Sequence, residues 1–69
     1  MKLLTTEQAA EVLQIPKATL IRWRVEGVGP DFFKLGSAVR YAENDLQRWT
    51  ETKRHTFAVR AEEAQNVSV

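Results

Sequence analysis

The chain has 69 residues, a net charge of +1, a single histidine and no cysteine. This length allows one small domain with a limited core, and the missing cysteines exclude disulfides and thiolate metal sites. No apolar run approaches the ~18 residues of a membrane span, and no secretory signal is recognisable. We therefore expect a soluble cytoplasmic protein with no membrane contact, metal or cofactor.

The first predicted element is a helix over residues 4–13. Thr5 and Gln8 have the spacing of a capping box, in which side chain and backbone at the helix start bond reciprocally. An apolar stripe follows at helical spacing and consists of Ala9, Ala10 and Leu13. Its small alanines allow a second helix to approach closely.

The second predicted helix begins after the short connection Gln14-Ile15-Pro16. Pro16 suits the first helical position, and Gly27 suits the left-handed residue just past the end. Leu20 and Trp23 share one face and should anchor the helix. The opposite face carries Ala18, Ile21, Arg22 and Val25, with Lys17 and Arg24 on its flanks. Two short helices, a tight turn and a basic second helix describe a helix-turn-helix.

Two short strands are predicted next, over residues 32–35 and 39–41, joined by a turn at Gly36-Ser37-Ala38. An isolated hairpin is unstable in water, so one face must pack on the helices. With simple alternation that face holds Phe33, Leu35, Val39 and Tyr41. The other face then holds Phe32, Lys34 and Arg40. This is the layout of a wing.

A third helix is predicted over residues 42–53, with acidic residues in its first turn and Leu46 and Trp49 facing the core. We expect Trp23 and Trp49 to dominate the core, because large rings bury the most area. The fold class is therefore mainly α with a small β-hairpin, a winged helix-turn-helix of three helices plus a wing. We predict a DNA-binding domain over residues 1–54.

Residues 55–69 form a tail that is either helical or disordered. Phe57, Ala61 and Ala64 have helical spacing, but the residues around them support no assignment. The tail is our candidate for a contact with another subunit or with an integrase.

The residues also argue against an enzyme. Ser37 and Ser68 are the only serines, and no pattern pairs either of them with His55 as nucleophile and base. There is no phosphate-binding glycine loop either. A protein-interaction module that uses the tail, Ile21 and Val25 stays open as an alternative to DNA binding.

Several spaced elements between residues 3 and 53 look familiar when taken together. They are Leu4-Thr5, Ala9-Ala10-Glu11, Ile15-Pro16-Lys17, Thr19-Leu20, Arg22-Trp23, Glu26-Gly27-Val28, Lys34-Leu35-Gly36, Val39-Arg40-Tyr41 and Leu46-Gln47-Arg48-Trp49. Together they resemble the excisionase-like winged helix-turn-helix family, which is related to the MerR-type DNA-binding domains.

The resemblance implies an excisionase of a phage or mobile element. Such a protein binds attachment-site DNA cooperatively, bends it and directs an integrase toward excision. Its partners would be double-stranded DNA, an integrase or other recombinase, and further copies of itself on the DNA. A small AlpA-like transcriptional regulator is the alternative within the same family.

The resemblance also implies which residues contact DNA. On the recognition helix, which would enter the major groove, they are Lys17, Ala18, Thr19, Ile21, Arg22 and Arg24. On the wing they are Lys34, Ser37 and Arg40.

Two departures from the family pattern affect this expectation. Gln14 stands where glycine is common and would have to accept a strained turn conformation. Arg24 and Val25 stand where an apolar and a basic residue are usual. Whether Arg22 or Arg24 reads the bases is therefore open.

Overall fold

The computed structural model describes residues 1–56. In chain order the elements are β1 (Leu3–Leu4), α1 (Thr6–Leu13), α2 (Lys17–Glu26), β2 (Phe33–Leu35), β3 (Ala38–Ala42) and α3 (Glu43–Thr52). The strands form an antiparallel sheet in the order β1-β3-β2. The predicted winged helix-turn-helix of three helices plus a wing is confirmed. The expected helical spacing of Phe57, Ala61 and Ala64 falls outside the described residues.

Helix α1 begins with the predicted capping box. The Thr5 hydroxyl accepts from the Gln8 backbone N–H at 3.1 Å, and the Gln8 side chain accepts from the Thr5 N–H at 2.9 Å. The helix starts at Thr6 because Leu3 and Leu4 are extended and form β1, with Leu4 paired to Tyr41. This strand was not predicted, since two residues are too few to show an alternating pattern.

The ends of α2 are defined by a proline and a glycine. Pro16 is the N-cap of the helix, one residue before its predicted role, and its carbonyl accepts from the N–H groups of Thr19 and Leu20. Gly27 closes the helix in the predicted left-handed conformation, with φ +77°. The Val28 N–H then bonds back to the helix at 2.9 Å.

The core lies between the sheet and the three helices. Its largest fully buried side chains are Tyr41, Leu20 and Leu46, and they pack with Leu4, Ala9 and Ala10. The expectation that the two tryptophans dominate the core is wrong. Both are half-buried, and their rings contact each other with centroids 5.5 Å apart. The tryptophan rings therefore close the contact between α2 and α3, whereas Tyr41 and two leucines fill the centre.

Gly29, in the loop after α2, lets the chain pass close to this contact. A Cβ at that position would lie 3.1 Å from Trp23 atoms, and the backbone has φ +89°. Both the space and the conformation therefore require glycine.

The wing consists of β2, β3 and the two-residue turn Gly36-Ser37 between them. Its register pairs Phe33 with Arg40, Lys34 with Val39 and Leu35 with Ala38. Directly paired residues share a face. The predicted grouping of Phe33 and Leu35 with Val39 and Tyr41 is therefore wrong.

The physical reason is a turn one residue shorter than expected. A shift of one residue in register moves every side chain of a strand to the other face. Phe33 and Leu35 consequently lie on the outer face of the sheet and are exposed, so Phe33 is not a core residue. Phe32 takes the inner position, where its ring centroid lies 6.0 Å from that of Tyr41.

Candidate nucleic-acid interface

The turn between α1 and α2 sets the angle between these two helices. Gln14 adopts a left-handed conformation with φ 57° and ψ 44°, and no other non-glycine residue within 1–56 has a positive φ. Its N–H and that of Ile15 bond back to carbonyls of α1 at 3.1 Å. The expected strain at this position is confirmed, and we estimate its cost at about 1–2 kcal/mol.

Leu20 and Trp23 anchor one side of α2, as predicted. Leu20 is buried, and half-buried Trp23 packs against the core. The opposite side is the outer face of α2, which we define as Ala18, Ile21, Arg22 and Val25. All but half-buried Ile21 are exposed. An anchored helix with an open outer face has the shape required to enter the major groove, which is about 12 Å wide.

Lys17 stands exposed at the first turn of α2, and half-buried Thr19 lies in the same turn. The Lys17 ammonium donates to the Glu7 carboxylate of α1 at 2.6 Å. This hydrogen bond, the bond from the backbone N–H of Glu7 and the charge of Lys17 hold the pKa of Glu7 below its ordinary value. The charge of Arg40 on the wing adds in the same direction. The ionised form of Glu7 is therefore favoured by cations on both α2 and the wing.

Arg22 has a looser acidic neighbour. Its Nε lies 3.8 Å from a Glu26 oxygen one turn along the same helix, which is an ion pair beyond hydrogen-bonding distance. The Arg22 side chain is 60% exposed. Its planar guanidinium is free to reorient toward a base edge or a phosphate, both of which it can bind with two parallel hydrogen bonds.

Arg24, two residues on, is directed into the domain. One of its guanidinium nitrogens donates to the Tyr41 hydroxyl at 3.0 Å and to the Thr6 hydroxyl at 3.3 Å. The guanidinium carbon lies 5.7 Å from the centre of the Phe32 ring, a cation–π distance. These contacts bring Arg24 away from the outer face of α2, whereas the sequence had grouped it with the DNA-facing residues.

The wing presents its polar groups on different sides. Lys34 and Ser37 are exposed, at the end of the hairpin, while half-buried Arg40 donates to the Val39 carbonyl at 2.8 Å. The register puts Lys34 and Arg40 on opposite faces of the sheet. The expectation that they share one face is therefore wrong, and the wing offers a cation on each side.

Two residues of this region carry contacts that the sequence did not indicate. Glu7 carries no local sign of a partner, and Lys17, to which it is bonded, lies ten residues away on another helix. Phe32 was assigned to the outer face of the wing, but its ring contacts Arg24 and Tyr41. No local pattern signals either contact, because each joins separate elements.

Within residues 1–56, no helix has the length and apolar character needed to cross a membrane. The same residues contain no cluster of three or more histidine, cysteine or acidic side chains that could hold a metal ion.

A helix-turn-helix domain family model matches residues 3–54. The match covers the whole of the three helices, the turn and the wing. No curated protein matches the chain at a significant level. The chain belongs to this helix-turn-helix family, which is a family of DNA-binding domains that includes excisionase-like proteins.

Proposed function

We propose that this member of the helix-turn-helix domain family is a sequence-specific DNA-binding protein that acts as an excisionase. It would bind attachment-site DNA cooperatively, bend it and direct an integrase toward excision, in the cytoplasm and on the nucleoid. The observation that carries DNA binding is the open outer face of α2, together with a wing that exposes Lys34 and Ser37. The excisionase role rests on the resemblance to the excisionase-like winged helix-turn-helix family.

In this proposal α2 lies in the major groove. Arg22 reads bases, because its exposed guanidinium can bond the O6 and N7 of guanine together. Lys17 and Thr19 bind phosphates beside the groove, and Ala18 and Ile21 contact thymine methyl groups. Arg24 keeps its contacts inside the domain and supports the helix. On the wing, Lys34, Ser37 and Arg40 bind the adjacent backbone or minor groove.

The size of the domain favours several copies on one DNA site. A single module of this kind buries about 600–1,000 Å² on DNA and reads few base pairs. Neighbouring copies whose contacts add are one way to reach specific affinity, and they would also bend the DNA. Residues 55–69 remain our candidate for the contact between copies or with the integrase.

The proposal is tested first by selecting binding sites from random duplex DNA and measuring affinity for the recovered site. We count at most four cations in contact with the DNA, namely Lys17, Arg22, Lys34 and Arg40. The logarithm of the association constant should then fall against log [salt] with a slope no steeper than about −3.6 per subunit. Arg22→Ala should lose about 1–3 kcal/mol of discrimination between the recovered site and scrambled DNA. Affinity that stays flat as salt is raised would contradict DNA binding.

The excisionase role needs its own experiment. Where an integrase gene adjoins the gene for this chain, the full chain is added to that integrase with DNA carrying both attachment-site junctions. Excision is measured together with the ladder of complexes in a gel shift. We expect excision to depend on the protein, and truncation after Arg54 to abolish the ladder while single-site binding persists. Specific binding to a promoter with no effect on excision would favour the transcriptional regulator.

A further inference from the structure

Both exposed cations of α2 are already paired with an acid in the free protein. Lys17 is bonded to Glu7 and Arg22 lies near Glu26. The side chains in these pairs are each at least half exposed. DNA phosphates would therefore meet carboxylates beside the very cations that attract them.

The two pairs differ in how they are built. Arg22 and Glu26 are one turn apart on the same helix and lie 3.8 Å apart, so they can separate without disturbing other elements. Lys17 and Glu7 join α2 to α1 through a bond of 2.6 Å. Glu7 is not part of the recognition helix, so its bond to Lys17 links the first turn of α1 to the first turn of α2.

A carboxylate in this position has a predictable effect on DNA binding. A phosphate that binds Lys17 must either replace Glu7 or tolerate its charge nearby, and like charges oppose each other. Because Lys17 contacts a phosphate whatever the base sequence, this penalty applies to matching and non-matching DNA alike and lowers the affinity for both.

We propose that Glu7 is an affinity-limiting residue of the interface, whose carboxylate holds Lys17 in the free protein and competes with a DNA phosphate for the Lys17 ammonium group. This inference rests on the proposed DNA-binding function and adds a role for a residue of α1. Glu7 would thus lower DNA affinity without itself reading a base.

The test compares Glu7→Gln with Glu11→Gln. Glu11 is also exposed, lies one turn further along α1 and has no ion-pair partner within residues 1–56. Each substitution removes one negative charge from the same helix, so the pair separates a local effect from a change in net charge. Dissociation constants are measured on the selected site and on scrambled duplex over a series of salt concentrations, with thermal melts to check that each variant folds.

We expect Glu7→Gln to tighten binding to scrambled DNA by about 1.5-fold to fivefold more than Glu11→Gln does, the range of an exposed ion pair. Its salt slope on scrambled DNA should steepen by up to about 0.9, equivalent to one further phosphate contact. Binding to the selected site should tighten by a similar factor, so the ratio of the two affinities stays nearly unchanged. In a Lys17→Ala background the added effect of Glu7→Gln should disappear.

Identical behaviour of the two glutamine variants on both DNAs would overturn the inference. Weaker binding of Glu7→Gln to the selected site would also overturn it, since Glu7 would then be a direct contact, as a carboxylate accepting from cytosine can be. If the unaltered chain binds neither DNA, the proposed function fails. That result differs from a failure of the Glu7 role alone.

Discussion

Arg22 and Arg24 stand two residues apart on α2 and have opposite surroundings. Arg22 lies on the outer face, 60% exposed, with one loose acidic neighbour at 3.8 Å. Arg24 lies on the inner side, where it contacts Thr6, Tyr41 and the ring of Phe32. An arginine is thus mostly exposed to water in one position and contacts three residues of the domain in the other.

The comparison shows that the two sides of one short helix have different roles. The inner side carries contacts that the fold needs, and these contacts exist in the free protein. The outer face carries few contacts, so its groups can exchange water and a weak ion pair for DNA. Stability and DNA affinity should therefore respond to different residues of α2, and substitutions on the two sides can test this separation.

The largest loss in the free energy of unfolding is expected for Leu20→Ala. Leu20 is 1% exposed, and replacing a buried leucine by alanine costs about 2–5 kcal/mol because it leaves a cavity. Val25→Ala, on the outer face and 81% exposed, should change the free energy of unfolding by no more than about 0.5 kcal/mol. Urea denaturation of both variants gives the measurement. Equal losses would contradict the division between the two sides.

The next largest loss of stability is expected for Arg24→Met, and Arg22→Met is the matching variant on the outer face. Arg24→Met removes charge-assisted hydrogen bonds to Tyr41 and Thr6 and should lower the free energy of unfolding by about 1–3 kcal/mol. Arg22→Met should leave stability nearly unchanged and reduce specific DNA affinity. Melting curves and gel shifts on both proteins provide the comparison. A stable Arg24→Met protein that loses DNA binding would show that Arg24 reaches the DNA after all.

A smaller loss is expected for Tyr41→Phe. The ring stays buried, but the acceptor of the Arg24 hydrogen bond is lost, which should cost about 0.5–1.5 kcal/mol. In the Arg24→Met background the same change should cost less, because the partner is already absent. Denaturation of the two single variants and the double variant measures this coupling. Strict additivity would mean that the bond contributes nothing.

The smallest expected change in stability is the loss of the exposed Lys17–Glu7 ion pair at acid pH. The pKa of Glu7 in the folded protein lies below its ordinary value of 4.5. The stability that this pair contributes is therefore present above pH 4.5 and is lost as the pH falls through the folded pKa. Arg24 bonds to hydroxyl groups, which carry no charge in acid, so its contacts should persist.

NMR titration of the Glu7 carboxyl carbon measures this directly. The difference in melting temperature between Glu7→Gln and the unaltered chain should shrink to zero at pH values below the measured pKa. A titration midpoint at or above 4.5 would mean that Lys17 does not hold Glu7 in solution.

Much of the helix-turn-helix could be predicted because its signals are local. Thr5 and Gln8 are three residues apart and form the capping box by themselves, and Gly27 ends α2 through its own backbone freedom. Leu20 and Trp23 share a face by helical geometry alone. The strained turn at Gln14 was expected only from the resemblance, since glycine is common at that position in the family, and the left-handed conformation bears it out.

The wing was predicted in outline and not in register. Strand residues and a glycine turn were visible, but a two-residue turn and a three-residue turn assign opposite faces to Phe33 and Leu35. Only pairing across the sheet, with Lys34 opposite Val39, decides between them. The tryptophans illustrate the same limit, since residue size indicates how much a ring can bury and says nothing about where the centre of the core lies.

The sequence by itself thus determined the order of the helices and the wing strands, the capping box of α1, the glycine end of α2 and its anchored side, because each depends on residues close together in the chain. The tertiary structure alone decided which charges of α2 stay on its exposed side. Arg24 meets Thr6 and Tyr41 from 18 and 17 residues away, and Lys17 meets Glu7 from ten. Such contacts arise when separate elements pack together, and periodicity within one element carries no record of them.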